Sequence, residues 1–159
     1  MIASVERIPP ESIDPTVKNF HWGDLTRGAF EAHAAGAETA VLLDRHGNVT
    51  EGPGFNVFAV IDGTVVTPQF GALEGITRKT VIELCAGLGI PSEIRDIPRA
   101  EFEAADEIFF STTAGGIMPV SRLGSRILGN DRPGPISSKL RETFWDKRRH
   151  GWHATPIAY

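Results

Sequence analysis

Residues 50–67 read TEGPGFNVFAVIDGTVVT, and this stretch decides the fold. Phe55–Ile61 is an unbroken apolar run of strand length, Asp62-Gly63 is a two-residue hairpin signal, and Thr64–Thr67 returns as a second strand. Upstream, Ala40-Val41-Leu42-Leu43 reads as a short apolar strand followed by a turn at His46-Gly47-Asn48. Downstream, Pro68–Gly75 reads as a loop. A helix is expected over Ile76–Leu88, with Val81, Ile82, Leu84 and Cys85 inward and Gly89 past its end. Ser92–Ile97 is then a strand, Arg99–Ala105 a short helix and Glu107–Ser111 a buried strand. Thr112–Gly116 reads as a turn, and Ile117–Leu123 with Arg126–Leu128 as a hairpin around Gly124-Ser125. Pro135–Arg149 is an amphipathic helix whose last turn, Lys147-Arg148-Arg149, suits the helix dipole. Before the hairpin, Asp24–Ala35 has a helical pattern with Leu25, Ala29, Phe30 and Ala32 on one face, Asp24 as N-cap and Gly36 beyond the end. Pro9, Pro10 and Pro15 make residues 1–17 an extended lead-in. Hairpins mixed with separate helices give an α+β domain.

The 159 residues set a prior of one domain able to bury roughly 70% of its unfolded surface. Charged residues make up 23% and hydrophobic ones 41%, a globular balance rather than a disordered one. A net charge of −4 carries no basic footprint for nucleic acid. No apolar run approaches the ~20 residues of a membrane span. The opening residues carry acids and prolines where a signal peptide has an apolar block, and the single cysteine cannot form an internal disulfide. The expected compartment is therefore the cytoplasm. The five histidines are scattered; His150 and His153 have no acid or cysteine cluster beside them, and no metal site is expected.

Three runs carry candidate chemistry. The first is Val17-Lys18-Asn19-Phe20-His21-Trp22-Gly23-Asp24-Leu25. Of four lysines, Lys79, Lys139 and Lys147 lie in helices among other charges, whereas Lys18 stands between Val17 and an aromatic pair. An amine in partly apolar surroundings is a usable nucleophile; the alternative is an ordinary amphipathic lysine snorkelling from an apolar surface. The second run is Thr50-Glu51-Gly52-Pro53-Gly54-Phe55-Asn56-Val57-Phe58, an acid beside glycines that permit close backbone approach; the alternative is a surface turn. The third is Leu73-Glu74-Gly75-Ile76-Thr77-Arg78 opening a helix, with Ser111-Thr112-Thr113-Ala114-Gly115-Gly116 downstream. Free N–H groups at a helix start plus a hydroxyl make an anion site suited to phosphate. The alternatives are simple capping by Thr77 and a β-turn, and the P-loop pattern is absent.

Taken together and in this order, the runs resemble the fold type IV (class IV) pyridoxal-phosphate-dependent aminotransferases, which include branched-chain and D-amino-acid aminotransferases and aminodeoxychorismate lyase. The shared marks are Thr50-Glu51-Gly52 with Asn56 and Phe58, Gly75-Ile76-Thr77-Arg78, Ala105-Asp106-Glu107, and Thr113-Ala114 with Pro119-Val120. The Lys18-Asn19-x-x-Trp22-Gly23-Asp24-Leu25 run and Glu51-Gly52-x-Gly54-Phe55-Asn56 are similar to the (R)-selective amine transaminases, with His21 where glutamine is expected. The resemblance implies the C-terminal domain of the D-amino-acid aminotransferase-like fold, a barrel-like mixed β-sheet flanked by helices. It implies pyridoxal 5′-phosphate as cofactor and Lys18 as the catalytic residue, forming a Schiff base with the aldehyde and carrying the substrate proton. Glu51 would pair with the pyridine nitrogen and Leu73 would pack on the ring. The backbone N–H groups of Ile76 and Thr77, with the Thr113 hydroxyl, would hold the phosphate. Trp22 would wall the substrate pocket, bordered by Thr112, Ala114 and Gly115.

Relatives of this kind are about twice as long. Residues 1–17 then read as an interdomain-type lead-in and 18–159 as the cofactor-binding C-terminal domain, the N-terminal small domain being absent from this chain. The implied reaction moves an amino group between an amine, an (R)-amine by the subgroup resemblance, and a 2-oxo acid such as pyruvate. The alternatives are a branched-chain or D-amino-acid aminotransferase, aminodeoxychorismate lyase, or a non-catalytic truncated cofactor-binding module. A homodimer is expected for the full-length form, with an N-terminal-half polypeptide as a further possible partner.

Overall fold

The computed structural model describes residues 1–157. Strand β4 (Phe55–Ile61) is apolar on both faces because both faces are covered, and it lies at the centre of the main sheet. The chain runs β1 (Ile2–Glu6), α1 (Gly23–Ala34), β2 (Val41–Leu43), β3 (Glu51–Gly52), β4, β5 (Thr64–Thr67), α2 (Ile76–Leu88) and β6 (Ser92–Ile94). It continues through α3 (Arg99–Ala104), β7 (Glu107–Thr112), β8 (Gly116–Val120), β9 (Arg122–Leu123), β10 (Arg126–Ile127) and α4 (Pro135–Arg149). The main sheet has the order β6-β5-β4-β7-β8, with the short β3 also paired to β4. It is mixed: β5 and β6, joined through α2, are parallel, and the other pairs are antiparallel. The α+β class and the mixed sheet are as expected; the sheet is open, and no closed barrel occurs among the described residues.

One face of the sheet buries Phe58, Val60, Val65 and Phe109 beneath α2 and α4, against Val81, Leu84, Cys85, Leu140 and Phe144. The opposite face buries Val57, Ala59, Val66, Ile108 and Phe110 against Ile97, Phe102 and Leu128. Stacked pairs bind the two central strands on both sides, with centroids 4.8 Å apart for Phe58–Phe109 and 4.1 Å for Phe55–Phe110. Cys85 is a core residue whose thiol burial pushes up to about 11.

Five local readings change. The first residues are not a free lead-in: β1 docks in parallel on β2, and α1 packs on both through Ala3, Leu25, Ala32, Ala40 and Leu42. Phe30 is exposed; Gly28 faces inward instead, so near Leu42 that a side chain there would crowd it. Asp24 is not the N-cap of α1; that position is Trp22, with no side-chain cap. Ser92–Ile97 shortens to β6, and Ile117–Leu123 divides into β8, paired with β7, and β9, paired with β10.

The Ala105-Asp106-Glu107 mark has a local physical reason. The Glu107 carboxylate accepts the N–H groups of Ile136 and Ser137 at 2.9 and 2.8 Å and the Ser137 hydroxyl at 2.6 Å. It therefore caps α4 from a neighbouring strand, and Gly134 leaves the room it needs. Glu107→Ala is expected to lower unfolding stability in urea by about 2 kcal/mol. The exposed Glu142→Ala on α4 should stay within about 0.5 kcal/mol of the parent. Equal midpoints for the two variants would contradict the cap.

Candidate active site

The β3–β4 hairpin turns through Gly54 at φ +82°, a conformation glycine adopts freely, and sets Glu51 opposite Asn56. On the other side of β4, Asn56 lies opposite Ser111 of β7. Opposed residues of antiparallel strands share a face, so Glu51, Asn56 and Ser111 form one cross-strand row at the end of the α2-covered side.

The loop before α2 is tied along that row. The Leu73 N–H donates to Glu51 Oε2 at 3.0 Å, and Asn56 Nδ2 donates to the Leu73 carbonyl at 2.6 Å. Gly75 lies against Asn56 Oδ1 with no space for a Cβ, and α2 begins at the next residue. Buried Arg78 clamps the helix start to the end of β5, through Thr67 Oγ1 at 3.3 Å and the Pro68 carbonyl at 2.7 Å. The helix has no side-chain cap, so the N–H groups of Ile76 and Thr77 have no intrahelical acceptor. Thr77 is not a cap, which removes the bland explanation for it.

Behind Glu51 sits Arg7, the sole basic residue among positions 1–17. Its NH2 donates to Glu51 Oε1 at 2.9 Å and its NH1 to Asp24 Oδ2 at 2.7 Å, all three side chains being buried. Asp24 also accepts the N–H groups of Ile8 and Leu25. Burial works against its charge, but these N–H groups and Arg7 outweigh it and hold Asp24 below the usual aspartate range. At Glu51 burial wins: it raises the carboxyl above the usual glutamate value despite Leu73 and Arg7.

A cavity of about 300 Å³ opens over this row. Lys18, Trp22, Glu51, Leu73, Ile76, Thr77, Thr112, Thr113 and Ala114 all line it, from four separate parts of the chain. Gly115 does not; it lies one residue further along the turn, against Met118. Lys18 is exposed rather than embedded in apolar side chains. Arg7, Asn56 and Ser111 also line the cavity, and they are the residues that sequence reasoning missed as site components. For Arg7 the available signal was a lone cation before the prolines, and for Asn56 its place among the shared marks.

Residues 1–123 match the profile of a family described as amino-transferase class IV. The chain belongs to the class IV aminotransferases. It is 37% identical over 147 residues to a putative branched-chain-amino-acid aminotransferase of Methanocaldococcus jannaschii, covering 91% of this chain and 51% of that protein. It is 40% identical over 117 residues to the Pseudomonas aeruginosa branched-chain-amino-acid aminotransferase, covering 73% and 38%. Among solved structures, the branched-chain amino acid aminotransferase of Thermobaculum terrenum in its PLP-bound holo form superposes with a TM-score of 0.88 at 34% identity, over 95% of this chain and 50% of that one. The branched-chain aminotransferase of Thermoproteus uzoniensis with norvaline gives 0.88 at 37%, over 96% and 51%. This class IV aminotransferase chain thus spans about half the length of the relatives it matches most fully.

The pairing of Arg7 with Asp24 gives the class IV chain a defined acid response. Because the folded-state pKa of Asp24 lies below the usual 3.8, its stabilisation is complete above about pH 4 and fades as pH falls through the folded value. Asp24→Asn is expected to cost about 3 kcal/mol of stability at neutral pH. That difference from the parent should close as urea midpoints are measured at progressively lower pH. A pH-independent difference would contradict the charge pairing.

Proposed function

We propose that this chain carries the pyridoxal-5′-phosphate-binding part of an aminotransferase that moves amino groups between branched-chain aliphatic amino acids and 2-oxo acids. The observation that carries the proposal is the convergence on one cavity of an amine, an anchored carboxylate and the free N–H groups of a helix start: Lys18, Glu51, Ile76 and Thr77. The residues fit the cofactor on two structural grounds. Glu51 is a buried acid whose charge is disfavoured until a further cation arrives, and Ile76 and Thr77 present unpaired donors where a phosphate would be held.

Bound pyridoxal phosphate supplies an aldehyde for covalent attachment and an electron sink for breaking a bond at the substrate carbon. Glu51 keeps a proton on the ring nitrogen: its two oxygens each spend one acceptor site on Arg7 and Leu73 and retain another. Lys18 Nζ would hold the cofactor through its aldehyde, and its amine would serve as the base that takes and returns the substrate proton. Ile76 and Thr77 N–H groups and the Thr113 hydroxyl would hold the phosphate, and Leu73 would pack on the ring. Trp22, which stands over Gly54, walls the substrate space, with Thr112 and Ala114 bordering it and Gly115 shaping the turn behind them. Val17 and Ile76 are exposed at the cavity, which supports its closure by further protein surface, from an N-terminal half or from a homodimer partner.

The branched-chain substrate class is supported by relatives and solved structures of that description. Trp22 and its flanking run favour, as a second reading, an (R)-amine donor. Pyridoxal phosphate at a hundred times its Kd is expected to raise stability by about 2.7 kcal/mol. Borohydride reduction should fix the cofactor on Lys18, located by peptide mass. Lys18→Ala should lose the visible absorbance band and about 10²- to 10⁴-fold of amino-group transfer from proton transfer alone. Adding L-leucine to the loaded chain should bleach the band faster than (R)-1-phenylethylamine or D-alanine does. The reverse order installs the amine reading, and an unchanged melting temperature with a tag on another lysine overturns the site.

A further inference from the structure

Ser111 is 1% exposed, and its Oγ is fully buried with no hydrogen-bond partner, although it borders the cavity. A buried hydroxyl without a partner is costly and uncommon. Its position explains what it is for. The cross-strand row runs from Glu51 through Asn56 to Ser111, two strand spacings or roughly 10 Å. The loop before α2 follows the same row: Leu73 is bonded to Glu51, and Gly75 is pressed on Asn56. The next residues, Ile76 and Thr77, are therefore carried toward the third member, with their N–H groups unpaired. Thr113, two residues beyond Ser111, lines the same cavity.

We propose that Ser111 is a further phosphate-holding residue, its Oγ–H donating to a phosphate oxygen of the cofactor from the sheet side while the α2 N–H groups donate from the helix side. The assignment rests on the cofactor reading above and adds a donor to it. It accounts for a hydroxyl at the position where Phe109, two residues earlier on the same face of β7, is a core aromatic. The dianion would find charge-assisted donors on two sides.

The test is a spectroscopic titration of the 159-residue chain and its Ser111→Ala variant with two probes: pyridoxal 5′-phosphate, and pyridoxal, which lacks the phosphate. Loss of Oγ is expected to weaken the phosphate ester by about ten- to a hundredfold and to leave pyridoxal within about twofold. The ligand-free variant should melt at the parent's temperature or higher, because the hydroxyl it loses has no partner there. Unchanged affinity for the ester overturns the assignment. So does equal weakening of both aldehydes, with or without a lower ligand-free melting temperature, which would mark an ordinary structural serine. Should the parent chain bind neither aldehyde, the cofactor reading falls, and the role of Ser111 with it; binding by the parent that Ser111→Ala leaves intact removes the serine alone.

Discussion

Arg7 lies between Asp24 and Glu51, and that buried guanidinium decides where the Glu51 carboxylate can be. Two acids side by side away from water repel each other; one cation between them converts the cluster into a fixed fork. The anchoring ties the segment after β1 to α1 and β3, adding a polar clamp to the apolar packing of β1 on α1. Asp24 takes up the Ile8 N–H as well, so the chain entering from β1 is held at both its side chain and its backbone. The exposed pairs elsewhere, such as Arg45 with Glu11 or Lys79 with Glu74, lie in solvent and contribute little to the architecture.

From Glu51 the rest of the cavity follows by short bonded steps. Leu73 is fixed on the carboxylate, Asn56 fixes Leu73, and Gly75 is the residue small enough to pass Asn56. The start of α2 is thus positioned by the same sheet row that positions the acid. Glu107 caps α4 from β7 in the same manner, a strand carboxylate receiving helix N–H groups. The fold uses its sheet as a template on which both helix starts are pinned, one by an acid and one left with its donors unpaired. That difference separates a structural helix start from one suited to an anion.

Much of this was legible in the sequence where the signals are local. Asp62-Gly63 dictated the β4–β5 hairpin, Gly75 and Gly89 bracketed α2, and Pro135 opened α4, so these elements fall where expected. Lys18, Glu51, Leu73, Ile76, Thr77, Thr112, Thr113 and Ala114 do share one cavity. The misses depend on distant partners. β1 looked like a connection because its partner β2 lies some 40 residues on. Asp24 looked like a helix cap because its cation is 17 residues earlier, in a proline-rich stretch. Phe30 fitted a helical stripe, but α1 approaches β2 so closely at Gly28 that the buried arc is turned toward small residues. Ser111 carried no signal apart from standing in a hydroxyl-rich run, since its burial and its empty bonding capacity emerge only once the sheet and α2 are assembled.

The central claim is that the carboxylate held by Arg7 and Leu73 faces the cofactor ring and sets its charge. The most direct measurement is the ¹⁵N NMR shift of pyridoxal phosphate labelled at the ring nitrogen and bound to this chain, compared with Glu51→Gln. The account predicts a protonated nitrogen in the parent and a neutral one in the variant. A neutral nitrogen in the parent, or a protonated one in both, would contradict it.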